Sequence, residues 1–564
     1  MVAFVLPLVL AAAFPLSSSA VPLQGFTTTA SFKGVPVFPP INYGLMCRLP
    51  IPGVKQLCAI GSSSGAQVRT PLGTANGVLD TAGANRFAVK YASAGRWAES
   101  TVVTQWALPN GGTNASALPL ACPQPLADPS GYAEDCLSMI LYVPTNCKAM
   151  GGVPTLLWIH GGSFISGSAT APGLSGSKLA IATNSIVAVM QYRLGALGFM
   201  APDGKTNLAV KDTINAMKFL AKVVPSFGGN GKITVAGQSS GAGMIRALLA
   251  APSASSLFQS AILQSDPINY GFLNASTQVK LQSTFNGLTG CAATNTACQK
   301  SLSLDAIIDA QVTLGNQATS IDASTGSAEP VRPVRDGTLI NTPLDLTAPF
   351  PAVDKPILLS NVKNEAGPTI YGIFKSSITR EYFAPVCDQS LGPERTAIVQ
   401  ASPFYNLSAS SDTRIPLETL GTDYMWRCPT WSLARSWAGR GGKAFVGLYV
   451  TGATYPANSG TAFCLQSGSV CHQDDIEIVF GTVPSPTAAQ AALTIEMQAR
   501  YKAFLTTGSP NAPGLSVWSA ATTSSVHAHQ LGGTPSPSGE VPVGACDPSF
   551  WGQGVLYDYQ VFGI

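Results

Sequence analysis

The stretch that most limits how this chain can fold runs from Lys232 to Ala251. Lys232-Ile233-Thr234-Val235-Ala236 reads as a short buried strand, and Gly241 to Ala251 reads as a helix of small and apolar residues. Between them Gly237-Gln238-Ser239-Ser240-Gly241 has the pattern G-x-S-x-G. A serine on such a strand-to-helix turn holds its hydroxyl clear of its neighbours, at the positive end of a helix dipole. The glycines are needed because the strained backbone passes close to the strand and helix beside it. An ordinary Gly-Ser loop can carry the same five letters, so the flanking strand and helix give the pattern its meaning.

The rest of the chain supplies the setting such a turn needs. Thr155-Leu156-Leu157-Trp158-Ile159 and Ile186-Val187-Ala188-Val189-Met190 are continuous apolar runs, as strands buried on both faces should be. Val210, Ile214, Met217, Ala221 and Val224 mark one face of an intervening helix. Further runs at Ala261-Ile262-Leu263, Ile357-Leu358-Leu359 and Ala444-Phe445-Val446 extend the sheet, and Leu493, Met497, Tyr501 and Phe504 mark a late helix. Strands alternating with helices predict an α/β fold: a large, mostly parallel central sheet with helices on both faces. With 46% hydrophobic and 11% charged residues, a chain of 564 residues can bury a large core. A net charge of +3 is too weak a bias to predict binding to nucleic acid or to an anionic membrane.

Three segments are expected. Residues 1–20 have an apolar stretch followed by small residues, with Ser18 and Ala20 at −3 and −1 of a cleavage site, and read as a signal peptide. Residues 21–65 are rich in Pro, Gly and Ser and read as an irregular N-terminal extension, and residues 66–564 read as the α/β domain. No later segment reads as a membrane span and the C-terminus carries no anchor signal, so a secreted protein without a stable membrane anchor is expected. Twelve cysteines, an even count, then suggest disulfides. Counting does not give the pairing, but Cys47 and Cys58, Cys122 and Cys136, Cys291 and Cys298, and Cys464 and Cys471 are near neighbours. There is no C-x-x-C pair to suggest a zinc ribbon. Asn114, Asn274 and Asn406 each open an N-glycosylation sequon.

A second glycine motif, His160-Gly161-Gly162-Ser163-Phe164, follows the first apolar strand directly. Acyl transfer builds negative charge on a carbonyl oxygen, and preorganised N–H groups stabilise it by about 3 to 4 kcal/mol per donor. The candidate donors are the N–H groups of Gly162 and Ser163, completed by that of Ser240 after the serine. A serine nucleophile needs a base, normally histidine. The chain has four: His160, His472, His527 and His529. His160 belongs to the glycine motif and is expected to be structural. His527 and His529 lie in a polar stretch that reads as a solvated loop. His472, beside a loop that Cys464 and Cys471 could close, is the expected base. Asp474 and Asp475 are too near it in sequence to reach round the ring. Glu365, in a loop after a predicted strand, is the better candidate to fix the tautomer. The resulting order Ser239, Glu365, His472 is that of α/β-hydrolases.

With these residues in place the chain resembles the type-B carboxylesterase/lipase family, which includes fungal secreted lipases of the Candida rugosa type and the cholinesterases. The resemblance runs from about residue 66 to the C-terminus. It is carried by Tyr132-Ala133-Glu134-Asp135-Cys136-Leu137, Gln191-Tyr192-Arg193-Leu194-Gly195-Ala196-Leu197-Gly198-Phe199, Phe227-Gly228-Gly229-Asn230, and Asp475-Ile476 through Phe480-Gly481. It implies an α/β-hydrolase fold, Ser239, Glu365 and His472 as triad, and Gly162, Ser163 and Ser240 as oxyanion hole. It also implies disulfides Cys122–Cys136 and Cys291–Cys298, a small-molecule or lipid carboxylic ester as substrate, and no cofactor or metal. Three departures stand out. Gln238 replaces the usual Glu before the nucleophile, which weakens any case for a cationic substrate. Gln473 replaces the usual Gly after the histidine. Only Pro123 to Asp135 lie between Cys122 and Cys136, where fungal lipases have a long lid. An esterase without strong interfacial activation is therefore favoured over a lipase or sterol esterase. A feruloyl-type esterase and a non-catalytic binding relative are the other readings.

Overall fold

The computed structural model describes residues 66–326, 329–343, 350–407, 411–534 and 539–564. The expected signal peptide, the N-terminal extension, the Cys47/Cys58 pair and Ser408 of the third sequon lie outside the described residues.

The centre is a ten-stranded sheet. Its strands in chain order are β1 (Val78–Leu79), β2 (Ala84–Lys90), β3 (Ser138–Pro144), β4 (Val153–Ile159), β5 (Ile186–Met190), β6 (Gly229–Gln238), β7 (Ser260–Gln264), β8 (Ile357–Val362), β9 (Ala444–Tyr449) and β10 (His529–Leu531). Across the sheet they run β10-β9-β8-β7-β6-β4-β5-β3-β2-β1. From β10 to β5 every neighbouring pair is parallel, and β3, β2 and β1 close the other edge antiparallel. That antiparallel edge was not anticipated. Its strands precede Pro154 and are not separated by helices, so the strand–helix alternation that marks the parallel part is absent there.

Successive residues of the inner strands feed two separate cores, as a pleated strand requires. On one face Leu157, Val235, Leu263 and Leu359 pack with Val210, Met217 and Leu220 of α1 (Leu208–Val223) and Met244 and Leu248 of α2 (Ser240–Leu249). On the other, Trp158, Ala236, Ile262 and Leu358 pack with Met497, Tyr501 and Phe504. The expected helix faces hold with one exception: Ala221 is exposed, and Leu220 takes its place in the core. The late helix spans Ala488–Thr507 and starts at a capping box formed by Thr487 and Gln490.

Disulfides join Cys122 to Cys136, Cys291 to Cys298 and Cys464 to Cys471. A fourth, Cys428–Cys546, bridges a sequence separation of 118 and was not readable from spacing. Cys147 and Cys387 are buried thiols.

Candidate active site

The turn between β6 and α2 is as sharp as the sequence predicts. Ser239 has φ 57 and ψ −130, a backbone region that side-chain-bearing residues rarely enter. The turn is pinned from outside, because Ser239 N–H donates to Gln264 O of β7 at 2.8 Å. Gly241 explains the second glycine of the motif: a Cβ there would run into the carbonyl oxygens of Ile159 and His160.

Beside it, the loop after β4 carries three residues in the left-handed region, Gly162 (φ 118), Ser163 (φ 53) and Phe164 (φ 61). A Cβ on Gly162 would overlap the Ser166 carbonyl. Among the described residues the N–H groups of Gly162, Ser163 and Ser240 have no acceptor, so all three remain available to a developing oxyanion. His160 plays the structural part expected of it. Its ring stacks on Tyr192 at 4.7 Å, and Tyr192 Oη donates to its carbonyl at 3.0 Å. Burial pushes the imidazole down to about 4, so it stays neutral.

The loops after β8 and β9 bring together Glu365, the expected acid, and His472, the expected base. Asn364 N–H donates to Val470 O at 2.8 Å, and Val470 N–H returns a bond to Asn364 Oδ1 at 3.2 Å. Across this clasp Glu365 Oε2 lies 2.6 Å from His472 Nδ1. Glu365 is buried, and its other oxygen accepts from Val362 N–H at 2.9 Å. Burial favours the neutral imidazole of His472, but the hydrogen bond and charge of Glu365 outweigh it, and the ring is held above its ordinary value. Asp474 and Asp475 do not serve Nδ1. Asp474 accepts from the N–H groups of Cys471 (2.7 Å) and Tyr455 (2.8 Å), which fixes the backbone around His472. Asp475 accepts from Gln264 Nε2 at 2.5 Å, and burial, reinforced by the nearby Glu365 charge, raises its carboxyl to about 7.

Three neighbours complete the surroundings of His472, of which the sequence singled out only Gln238. Gln238 Nε2 lies 3.1 Å from His472 Nε2, and among the described residues Ser239 Oγ has no hydrogen bond of its own. Such slack is common before substrate binds. Trp426, in the π-turn Asp423–Arg427, has its ring centroid 5.4 Å from that of His472. Glu329 is buried, carries no hydrogen bond on its carboxylate among the described residues, and is pushed by burial up to about 7. The fold alone brings Trp426 and Glu329 here, and no local motif announces either. The other histidines lie elsewhere. His527 pairs with Glu540 at 3.0 Å. His529 is not in a solvated loop as expected: it sits on β10, buried and stacked on Trp518 at 5.1 Å, with Arg500 Nη2 3.1 Å from its Nε2.

A serine on a strained turn, a histidine oriented by a buried carboxylate, and three unspent N–H donors can together carry out acyl transfer. The comparisons point the same way. The cAMP-regulated D2 protein of Dictyostelium discoideum is 32% identical over 308 residues, which is 54% of this chain and 56% of that protein. The chain thus matches little more than half of that relative's length. Carboxylesterase 1D of Rattus norvegicus is 24% identical over 69% of this chain and 72% of its own. Among solved structures a PNB esterase superposes with a TM-score of 0.67 at 22% identity, covering 83% of this chain and 96% of its own, a likeness of fold. The sequence profile of the carboxylesterase family matches residues 64–541, and the chain belongs to that family.

Proposed function

We propose that the chain is a secreted serine hydrolase of carboxylic esters that works through an acyl-enzyme. Ser239 attacks the ester carbonyl while His472 takes its proton and passes it to the departing alcohol. Water then attacks the acyl-serine with His472 as base again. Glu365 holds the imidazole in the tautomer that leaves Nε2 free to accept, and stabilises the imidazolium that forms. The N–H groups of Gly162, Ser163 and Ser240 bind the oxyanion of each tetrahedral intermediate. The observation that carries this reading is the 2.6 Å contact between buried Glu365 and His472, beside a serine at φ 57.

The substrate is a small-molecule ester taken up from solution. The disulfide-closed loop from Cys122 to Cys136, a sequence separation of 14, is too short to cover a gorge, which favours an esterase without strong interfacial activation. Secretion is supported by the apolar segment at residues 1–20 and by four disulfides, which persist in oxidising compartments. The test is hydrolysis of p-nitrophenyl esters from acetate to palmitate by the native chain and by Ser239→Ala. The variant should lose turnover by about 10⁴-fold or more. Equal rates in both proteins would remove Ser239 from the mechanism.

A further inference from the structure

An N–H that binds an oxyanion belongs to a rigid, planar peptide unit, so whatever holds the carbonyl of that unit sets where the N–H points. The Ser163 N–H shares its unit with the Gly162 carbonyl. That carbonyl accepts three hydrogen bonds, from Ile165 N–H, Ser166 N–H and Ser166 Oγ, each at 3.0 Å. The Ser163 N–H on the opposite side has no acceptor among the described residues. Ser166 is itself held through its neighbour. Gly167 N–H donates to Gln124 Oε1 at 2.9 Å, and Gln124 Nε2 donates back to the Gly167 carbonyl at 3.0 Å. The same Nε2 donates to the Cys122 carbonyl at 3.0 Å, which anchors the amide beside the Cys122–Cys136 disulfide. Gln124 is buried, and both ends of its amide are spent on backbone. Gly167 has no room to shift inward. At φ 107 it packs so closely on the Gly161 carbonyl and the His160 ring that a Cβ would overlap both.

We infer that Gln124 and Ser166 are positioning residues of the oxyanion hole. Gln124 clamps Gly167 to the disulfide-closed loop, Ser166 is thereby kept on the Gly162 carbonyl, and the Ser163 N–H is aimed before substrate arrives. The inference rests on the ester-hydrolase reading above and assigns the side chains that preorganise one of its donors. A donor already fixed in place stabilises the developing charge without having to turn during the reaction. The loop from Cys122 to Cys136 then has a part in catalysis as well as in stability, because the clamp on Gly167 starts two residues after Cys122.

The experiment compares the native chain with Ser166→Ala, Gln124→Met and the double variant, using p-nitrophenyl butyrate and an alkyl trifluoromethyl ketone. The ketone carbonyl adds the serine hydroxyl and leaves an oxyanion where the tetrahedral intermediate would place it. Met keeps the length of Gln124 but loses its amide donor and its carbonyl acceptor. Ser166→Ala should lower kcat about three- to tenfold and Gln124→Met about tenfold, less than the loss of a whole donor, with KM within about twofold of native. The inhibition constant of the ketone should rise by the same factor as kcat/KM falls. The double variant should lose little more than the worse single variant, because both changes act through one peptide unit. Ser166→Ala removes only a hydroxyl and keeps the test decisive if Gln124→Met does not fold. A rate within about twofold of native in Ser166→Ala, or a fall in kcat with the ketone's inhibition constant unmoved, would overturn the inference while leaving the esterase intact. A native chain that neither hydrolyses the ester nor binds the ketone would instead strike the ester-hydrolase reading itself.

Discussion

Gln238 Nε2 lies 3.1 Å from His472 Nε2, so the nitrogen that should receive the serine proton is met at rest by the amide of the residue before the serine. Since Glu365 holds the proton on Nδ1, Nε2 is the acceptor and Gln238 the donor. A donor to the lone pair favours the neutral ring, the form a general base needs.

This fixes a pH prediction and its sign. His472 is held above its ordinary value by Glu365, so activity should fall with acid along a limb centred above about 6.5. Gln238→Glu replaces the donor with an anion, which stabilises the imidazolium. The limb should move a further unit or so upward, with activity lost at neutral pH and regained in mild alkali. The pH profile of kcat/KM reads this directly. An unmoved limb would mean that Gln238 leaves His472 in the working enzyme.

The disulfide Cys464–Cys471 ends one residue before the base. Phe463, just before the loop that this disulfide closes, stacks on Tyr371 at 4.0 Å in the segment that follows Glu365, so the disulfide sits beside the stack that joins the base and acid loops. Replacing both cysteines by serine should cost about 2 kcal/mol of stability, from loop entropy. A misplaced imidazole should lower kcat more than it raises KM. Thermal unfolding and steady-state kinetics separate the two effects. Native kcat in the double variant would show that Asp474 and Asn458, which bond the backbone around His472, suffice to hold it.

Gln473 follows the base in the left-handed region, at φ 79, where a side chain is strained. Gln473→Gly should relieve that strain and raise the unfolding free energy by about 1 kcal/mol, less the added freedom of glycine in the unfolded chain. Denaturant titration checks it. A loss of stability would show that the Gln473 side chain contributes packing that outweighs its backbone.

The sequence nominates Ser239, His472 and Glu365 because acyl-transfer chemistry restricts residue type and order, and the strand–turn–helix pattern around Ser239 is local; the fold brings Glu365 and His472 into contact. The parallel strands are legible for a related reason: burial on both faces leaves continuous apolar runs such as Ile186 to Met190. What escapes is what only the fold assembles. Trp426 and Glu329 are distant in sequence from His472 and belong to no motif. His529 reads as polar and loop-like until a strand edge buries it against Trp518. Cys428 and Cys546 carry no spacing signal, and the antiparallel edge lacks the intervening helices that make the parallel strands recognisable.

The central claim is that Ser239 becomes acylated during turnover. Rapid acid quench of the native chain with p-nitrophenyl butyrate, followed by digestion and mass spectrometry, tests it most directly. The account predicts one butyryl group per chain, on the peptide containing Ser239, and more of it in Glu365→Gln if that change slows deacylation more than acylation. An adduct on another residue, or full turnover by Ser239→Ala, would contradict it.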